Sequence, residues 1–177
     1  MRVVAGELGG RKLVAPAGAG TRPTADRVRE ALFSILGDVA DLRVLDLYAG
    51  SGALGIEALS RGAAEAVFVD SSQAAVAAIR RNLTELGIEA GVQRRDALAY
   101  LAGAAGGEPY DLVFADPPYD SALRVATGLA ARLPPVLSPG AVIVTESNKR
   151  VPLKLPFDLL RERSYGDTRI AVHRHDG

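Results

Sequence analysis

The chain has no cysteine, no tryptophan and one methionine, and its two histidines both fall in the last five residues. Without thiols there are no disulfides, thiolate zinc sites, redox pairs or cysteine nucleophiles. With the histidines confined to positions 173 and 175, no histidine-rich metal site is expected, and both rings are read as non-catalytic. There is no excess charge: 21 Lys and Arg balance 21 Asp and Glu, so total charge alone does not call for a polyanionic partner. No apolar run approaches a membrane span. The first six residues lack the apolar core of a secretion signal, so the expected location is the cytoplasm.

What remains is 177 residues, 48% of them apolar, with a mean hydropathy of +0.12. That suits one packed domain, expected to act as a monomer. The charge is unevenly spread. Residues 1–36 carry six basic against three acidic side chains, residues 149–177 seven against four, and the centre eight against fourteen. Two basic ends around an acidic middle are compatible with a basic rim about an acidic pocket.

Residues 2–5 and 11–14 flank a Gly-rich turn and predict a small β-hairpin, giving an N-terminal extension over 1–20 and a main domain over 21–177. Thr24 is placed to cap a helix running to Leu36. Thereafter strands over 43–47, 66–70, 91–95 and 110–115 alternate with helices over 53–60, 73–86, 97–102 and 121–133. Another apolar strand, 141–145, and a hairpin of 159–165 with 168–174 close the chain. The alternation predicts an α/β fold: a mostly parallel seven-stranded sheet with helices on both faces and an antiparallel C-terminal hairpin.

Each of the first four parallel strands ends in an aspartate or is followed by one: Asp46, Asp70, Asp96 and Asp116. In open α/β sheets this carboxyl edge is where ligands bind. After the first strand, Gly50, Gly52 and Gly55 satisfy G-x-G-x-x-G, formally a dinucleotide fingerprint. A pyrophosphate there would meet Asp46 with no Lys or Arg anywhere in 44–60. S-adenosylmethionine carries an ammonium and a sulfonium and no phosphate, so the same carboxylate becomes favourable. The sequence therefore favours S-adenosylmethionine over NAD. Gly50, Gly52 and Gly55 would allow close backbone approach to the methionine part, and Asp46 would fix its cationic end. Asp70 would accept from the ribose hydroxyls and Asp96 from the adenine amine, with Tyr48, Ala49, Ser71 and Ala97 as further cofactor-binding candidates.

The strand over 110–115 delivers Asp116-Pro117-Pro118-Tyr119 to the same edge. The prolines stiffen this tetrapeptide and push Asp116 and Pro117 into extended conformations. An exocyclic amine is a poor nucleophile because its lone pair is conjugated with the ring. Two acceptors, the Asp116 carboxylate and the Pro117 carbonyl, would hold its hydrogens as the nitrogen becomes tetrahedral. Tyr119 would stack on an unstacked base. Adenine N6, a guanine amine and a glutamine amide all remain open at this point.

Asp46–Gly55, Phe68–Asp70 and Asp116–Tyr119 resemble the motifs of class I amino-methyltransferases. Arg2-Val3-Val4-Ala5-Gly6, Gly10-Arg11-Lys12-Leu13, Arg22-Pro23-Thr24, Asp26-Arg27-Val28-Arg29-Glu30 and Tyr165-Gly166-Asp167-Thr168 are similar to one branch, the bacterial RsmD family. That resemblance implies a Rossmann-like fold with S-adenosylmethionine as donor. It also implies the N2 of one guanine of 16S ribosomal RNA as target, within a partly assembled small subunit. Family members often carry glutamate where Asp70 stands. Arg11, Lys12, Arg22, Arg27 and Arg29 then become candidate phosphate contacts, Arg22 beside Pro23 the strongest of them, while Lys12 and Arg29 individually read more readily as solvated surface residues. Glu146 is either a helper acceptor or a surface residue. A non-catalytic RNA-binding assembly factor with the same fold is the remaining alternative.

Overall fold

A computed structural model of the chain describes residues 1–17, 26–118 and 122–177. The helices are α1 (Asp26–Leu36), α2 (Ala53–Ser60), α3 (Gln73–Leu86), α4 (Ala97–Ala104) and α5 (Ala122–Arg132). The strands are β1 (Arg43–Leu47), β2 (Glu65–Asp70), β3 (Gly91–Arg94), β4 (Tyr110–Ala115), β5 (Leu137–Asn148), β6 (Asp158–Tyr165) and β7 (Thr168–Arg174). They form one sheet in the order β3-β2-β1-β4-β5-β7-β6. The first five strands are parallel, and β7 and β6 close the sheet antiparallel.

β1, β2 and β4 are apolar at nearly every position because both faces are covered. One face carries Val44, Phe68, Phe114 and Val144 beneath Leu32, Phe33, Ile56 and Ile79 of α1, α2 and α3. The other carries Leu45, Val67, Val113 and Ile143 beneath Leu101, Val125 and Leu129 of α4 and α5. Ser72 caps α3 through its side chain, and Gly87 ends that helix at φ 71°.

One expectation needs correction. β5 begins at Leu137 rather than 141, because Ser138-Pro139-Gly140 forms an irregularity within the strand, with Gly140 at φ 80°, instead of a loop. The N-terminal hairpin is short: the Arg2–Lys12 bridge is joined by backbone bonds from Val3 N–H to the Arg11 carbonyl, Gly10 N–H to the Val3 carbonyl and Leu13 N–H to the Met1 carbonyl. Its further pairing is limited because the backbone of 4–8 bonds instead to α2: Glu57 accepts from the N–H groups of Val4 and Ala5. Val3 and Leu13 are buried in the same core as α1 and α2. The expected cap at Thr24 lies outside the described residues.

Candidate active site

The sheet order makes β1 and β4 neighbours whose connections leave in opposite directions, so a crevice opens at their carboxyl ends. Asp46 sits in β1 in register with Phe68 and Phe114, and is only 2% exposed. Its Oδ2 accepts from the Gly55 N–H at 2.9 Å. Burial pushes its carboxyl up to about 8, aided by the negative charge of Asp70 and opposed by that N–H.

The loop after β1 is shaped by three left-handed residues, Tyr48 (φ 58°), Gly50 (φ 57°) and Gly52 (φ 77°). For Tyr48, a residue with a Cβ, that conformation is strained. Asp70 holds the loop in place: Oδ2 accepts from Gly50 N–H at 2.9 Å and Oδ1 from Ser72 N–H at 2.8 Å. A Cβ at Gly50 would meet nothing closer than the Tyr48 carbonyl at 4.0 Å, which leaves open space over the loop. A Cβ at Gly55 would lie 2.4 Å from Phe68 Cε1. The third glycine of the fingerprint therefore serves helix–sheet packing, not approach to a ligand. Asp96 caps α4, accepting from the Ala99 N–H at 3.0 Å. The half-buried Tyr48 phenol is pushed up to about 12 by burial and then by Asp96, while Arg124 draws it down.

Asp116 follows β4 directly. Because Ala115 registers with Thr145, Asp116 stands beside Glu146 of β5, which is 8% exposed. Burial, then Glu146, then Asp46 hold the Asp116 carboxyl well above the usual carboxylate range. Strand alternation puts Asp46, Asp116 and Glu146 on the same face as Val44, Phe114 and Val144. Three neighbouring strands thus present a row of carboxyl groups beside an open glycine loop. Such a row opposes an anion and suits a cationic or hydrogen-donating ligand. The donor set fits S-adenosylmethionine: acid near its cationic end, space over Gly50, and a carboxylate at Asp70 with lone pairs left for hydroxyls.

The sequence matches the family described as conserved hypothetical protein 95 over residues 1–174. This chain belongs to that family, the RsmD family of methyltransferases. YlbH of Bacillus subtilis (strain 168) is 40% identical over 185 residues, covering all of both chains. Ribosomal RNA small subunit methyltransferase D of Escherichia coli (strain K12) is 44% identical over 129 residues, 72% of this chain and 64% of that protein. The solved structure of hypothetical protein TTHA0928 from Thermus thermophilus superposes with a TM-score of 0.85 at 32% identity over 99% of both chains. The fold is that of the S-adenosylmethionine-dependent class I methyltransferases.

In this RsmD-family chain the C-terminal rim of the sheet gathers Asp46, Tyr48, Ala49, Gly50, Gly52, Asp70, Ser71, Asp96, Ala97, Asp116, Pro117 and Pro118. Tyr119 and Arg22 lie outside the described residues. Lys12 and Arg27 are exposed, while Arg11 donates from Nη2 to the Glu85 carbonyl at 2.8 Å in the last turn of α3. Arg29 is neither solvated nor available to phosphate: it is fully buried and donates from Nη2 to Asp26 at 2.9 Å and to the Arg2 carbonyl. His173, though near the chain end, is buried in β7. Glu146 is not a surface residue. β5 continues past 145 to Asn148, and the alternation 142, 144, 146 is the signal that decides between the two readings of Glu146.

Proposed function

We propose that this chain methylates the exocyclic N2 of a guanine in 16S ribosomal RNA, using S-adenosylmethionine as donor and acting on a partly assembled small subunit. The observation that carries this reading is the row Asp46, Asp116 and Glu146 beside the open Gly50–Gly52 loop. The names of relatives such as ribosomal RNA small subunit methyltransferase D support the RNA class.

The donor supplies a methyl group activated by a sulfonium. A cation beside Asp46 favours loss of the proton that burial retains there, and the resulting carboxylate faces the sulfonium and ammonium, while Asp70 offers acceptors for ribose hydroxyls. Asp116 and the Pro117 carbonyl accept the two hydrogens of the target amine, and Asp116, with its elevated affinity for protons, takes the one the nitrogen loses. Guanine presents donors at both N1 and N2, so two adjacent carboxyl groups match its edge, whereas adenine offers an acceptor at N1. The enzyme contributes positioning and electrostatics, with no covalent intermediate.

The test is an assay with methyl-labelled donor and purified protein, comparing naked RNA, small-subunit particles, DNA and protein. Labelled N2-methylguanosine from the particles or the RNA is the expected product. Labelled N6-methyladenosine or methylglutamine would overturn the choice of target, and donor binding without transfer to any of the four would favour an assembly factor.

A further inference from the structure

We infer that Asn82 is a positioning residue of the methyl-donor site and that, through it, residues 1–14 form part of that site's support. The inference rests on reading the Tyr48–Gly52 loop as the donor's loop.

Asn82 lies on α3 and is fully buried, away from the rim itself. Its amide makes three hydrogen bonds, with both donors used. Oδ1 accepts from the Val14 N–H at 2.8 Å, and Nδ2 donates to the Val14 carbonyl at 3.0 Å and to the Ser51 carbonyl at 2.9 Å. One planar group thus ties the N-terminal segment to the residue between Gly50 and Gly52. Aspartate has the acceptor but neither donor, and leucine has none of the three. The Ser51–Gly52 peptide is fixed from both sides, because the Gly52 N–H donates to the Ala49 carbonyl at 2.7 Å while Asn82 holds the Ser51 carbonyl. A loop with three left-handed residues keeps its shape only when its surroundings dictate it.

The same segment is fastened to α2, the helix that starts at this loop. Val4 and Ala5 donate to Glu57 at 2.7 and 3.0 Å, and Leu8 donates to Ser60 Oγ at 3.0 Å. Gly6 passes so close that a Cβ would fall 1.8 Å from the Ser60 carbonyl oxygen. Residues 1–14, α2, α3 and the loop are therefore ordered together, and ordering one favours ordering the others.

The experiment measures donor binding by calorimetry, steady-state kinetics, and amide hydrogen exchange over residues 1–17 with and without S-adenosylmethionine. It uses the wild type, Asn82→Ala and Val14→Pro, the last removing the N–H that Asn82 accepts at the far end of the bridge while also fixing the backbone there and restricting Leu13. In the wild type, S-adenosylmethionine should slow exchange at Val14 and Leu8. Asn82→Ala should raise the donor Kd and KM about tenfold with kcat within about twofold, and Val14→Pro should move Kd the same way by a smaller factor. A purely structural role would lower the folded fraction and kcat, leaving KM unchanged. A folded Asn82→Ala with wild-type Kd overturns the inference. So does a wild type that binds the donor with no change in exchange at Val14, a result that decides the matter even if the variants do not fold. Failure of the wild type to bind S-adenosylmethionine overturns the donor reading, and this inference with it.

Discussion

Asp46 is a carboxyl group that folding makes harder to ionise. Its folded value of about 8 lies above the ~4 of an unfolded aspartate, so the folded chain holds the proton more tightly. Its contribution to stability is therefore complete below ~pH 4 and is lost as pH rises through about 8. Asp46→Asn keeps an acceptor for Gly55 and removes the charge. Its melting temperature should match the wild type near pH 4 and exceed it by roughly 5 °C at pH 8, while donor binding weakens. Parallel melting curves across that range would contradict this origin of the burden. At Asp116 the sign concerns activity. A raised carboxyl that must accept a proton makes kcat rise with pH, and Glu146 is one cause of the elevation. Glu146→Gln should shift the acid limb of the kcat profile to lower pH, and an unmoved limb would show that the two side chains do not interact.

At the scale of elements, β1, β2, β4 and helices α2 and α3 were legible because each is an apolar run or a 3.6-period pattern bounded by glycine, serine or aspartate. The legible part of the site was the part carried by those strand ends. The rest depended on cross-chain contacts that local patterns do not encode. Arg29 has an ordinary surface sequence context, yet the Arg2 carbonyl and Asp26 bring it inside. Glu57, Ser60 and Asn82 read as unremarkable helix polar residues until residues 1–14 fold against them. The glycine motif misled in one respect, since Gly55 answers to Phe68 rather than to a ligand. Gly55→Ala should destabilise the chain by about 1–3 kcal/mol through overpacking, read as a fall in denaturation midpoint with unchanged slope. Gly87→Ala, where a Cβ meets nothing within 4 Å, should lose about 1 kcal/mol, from the left-handed backbone alone. Equal losses at the two positions would refute the packing role of Gly55.

For the whole molecule, an acidic crevice between two basic ends separates two tasks. Under the proposed function, the crevice selects a cationic donor and a hydrogen-donating base edge, and the basic ends position a polyanion without reading its sequence. No helix among the described residues is long and apolar enough to cross a membrane. Reversing the exposed charges of Lys12 and Arg27 together should weaken RNA binding, with the donor Kd unchanged. For each phosphate that is no longer neutralised, the negative slope of log K against log salt should shrink in magnitude by about 0.7–0.9. An unaltered slope would place the RNA-binding surface elsewhere. The central claim is best tested by mass-spectrometric mapping of small-subunit ribosomal RNA from cells lacking this protein, complemented with the wild type or with Asp116→Ala. One guanine should lose an N2-methyl group, regain it with the wild type, and stay unmodified with Asp116→Ala. An unchanged set of N2-methylguanines in the deletion, or full restoration by Asp116→Ala, would contradict the account.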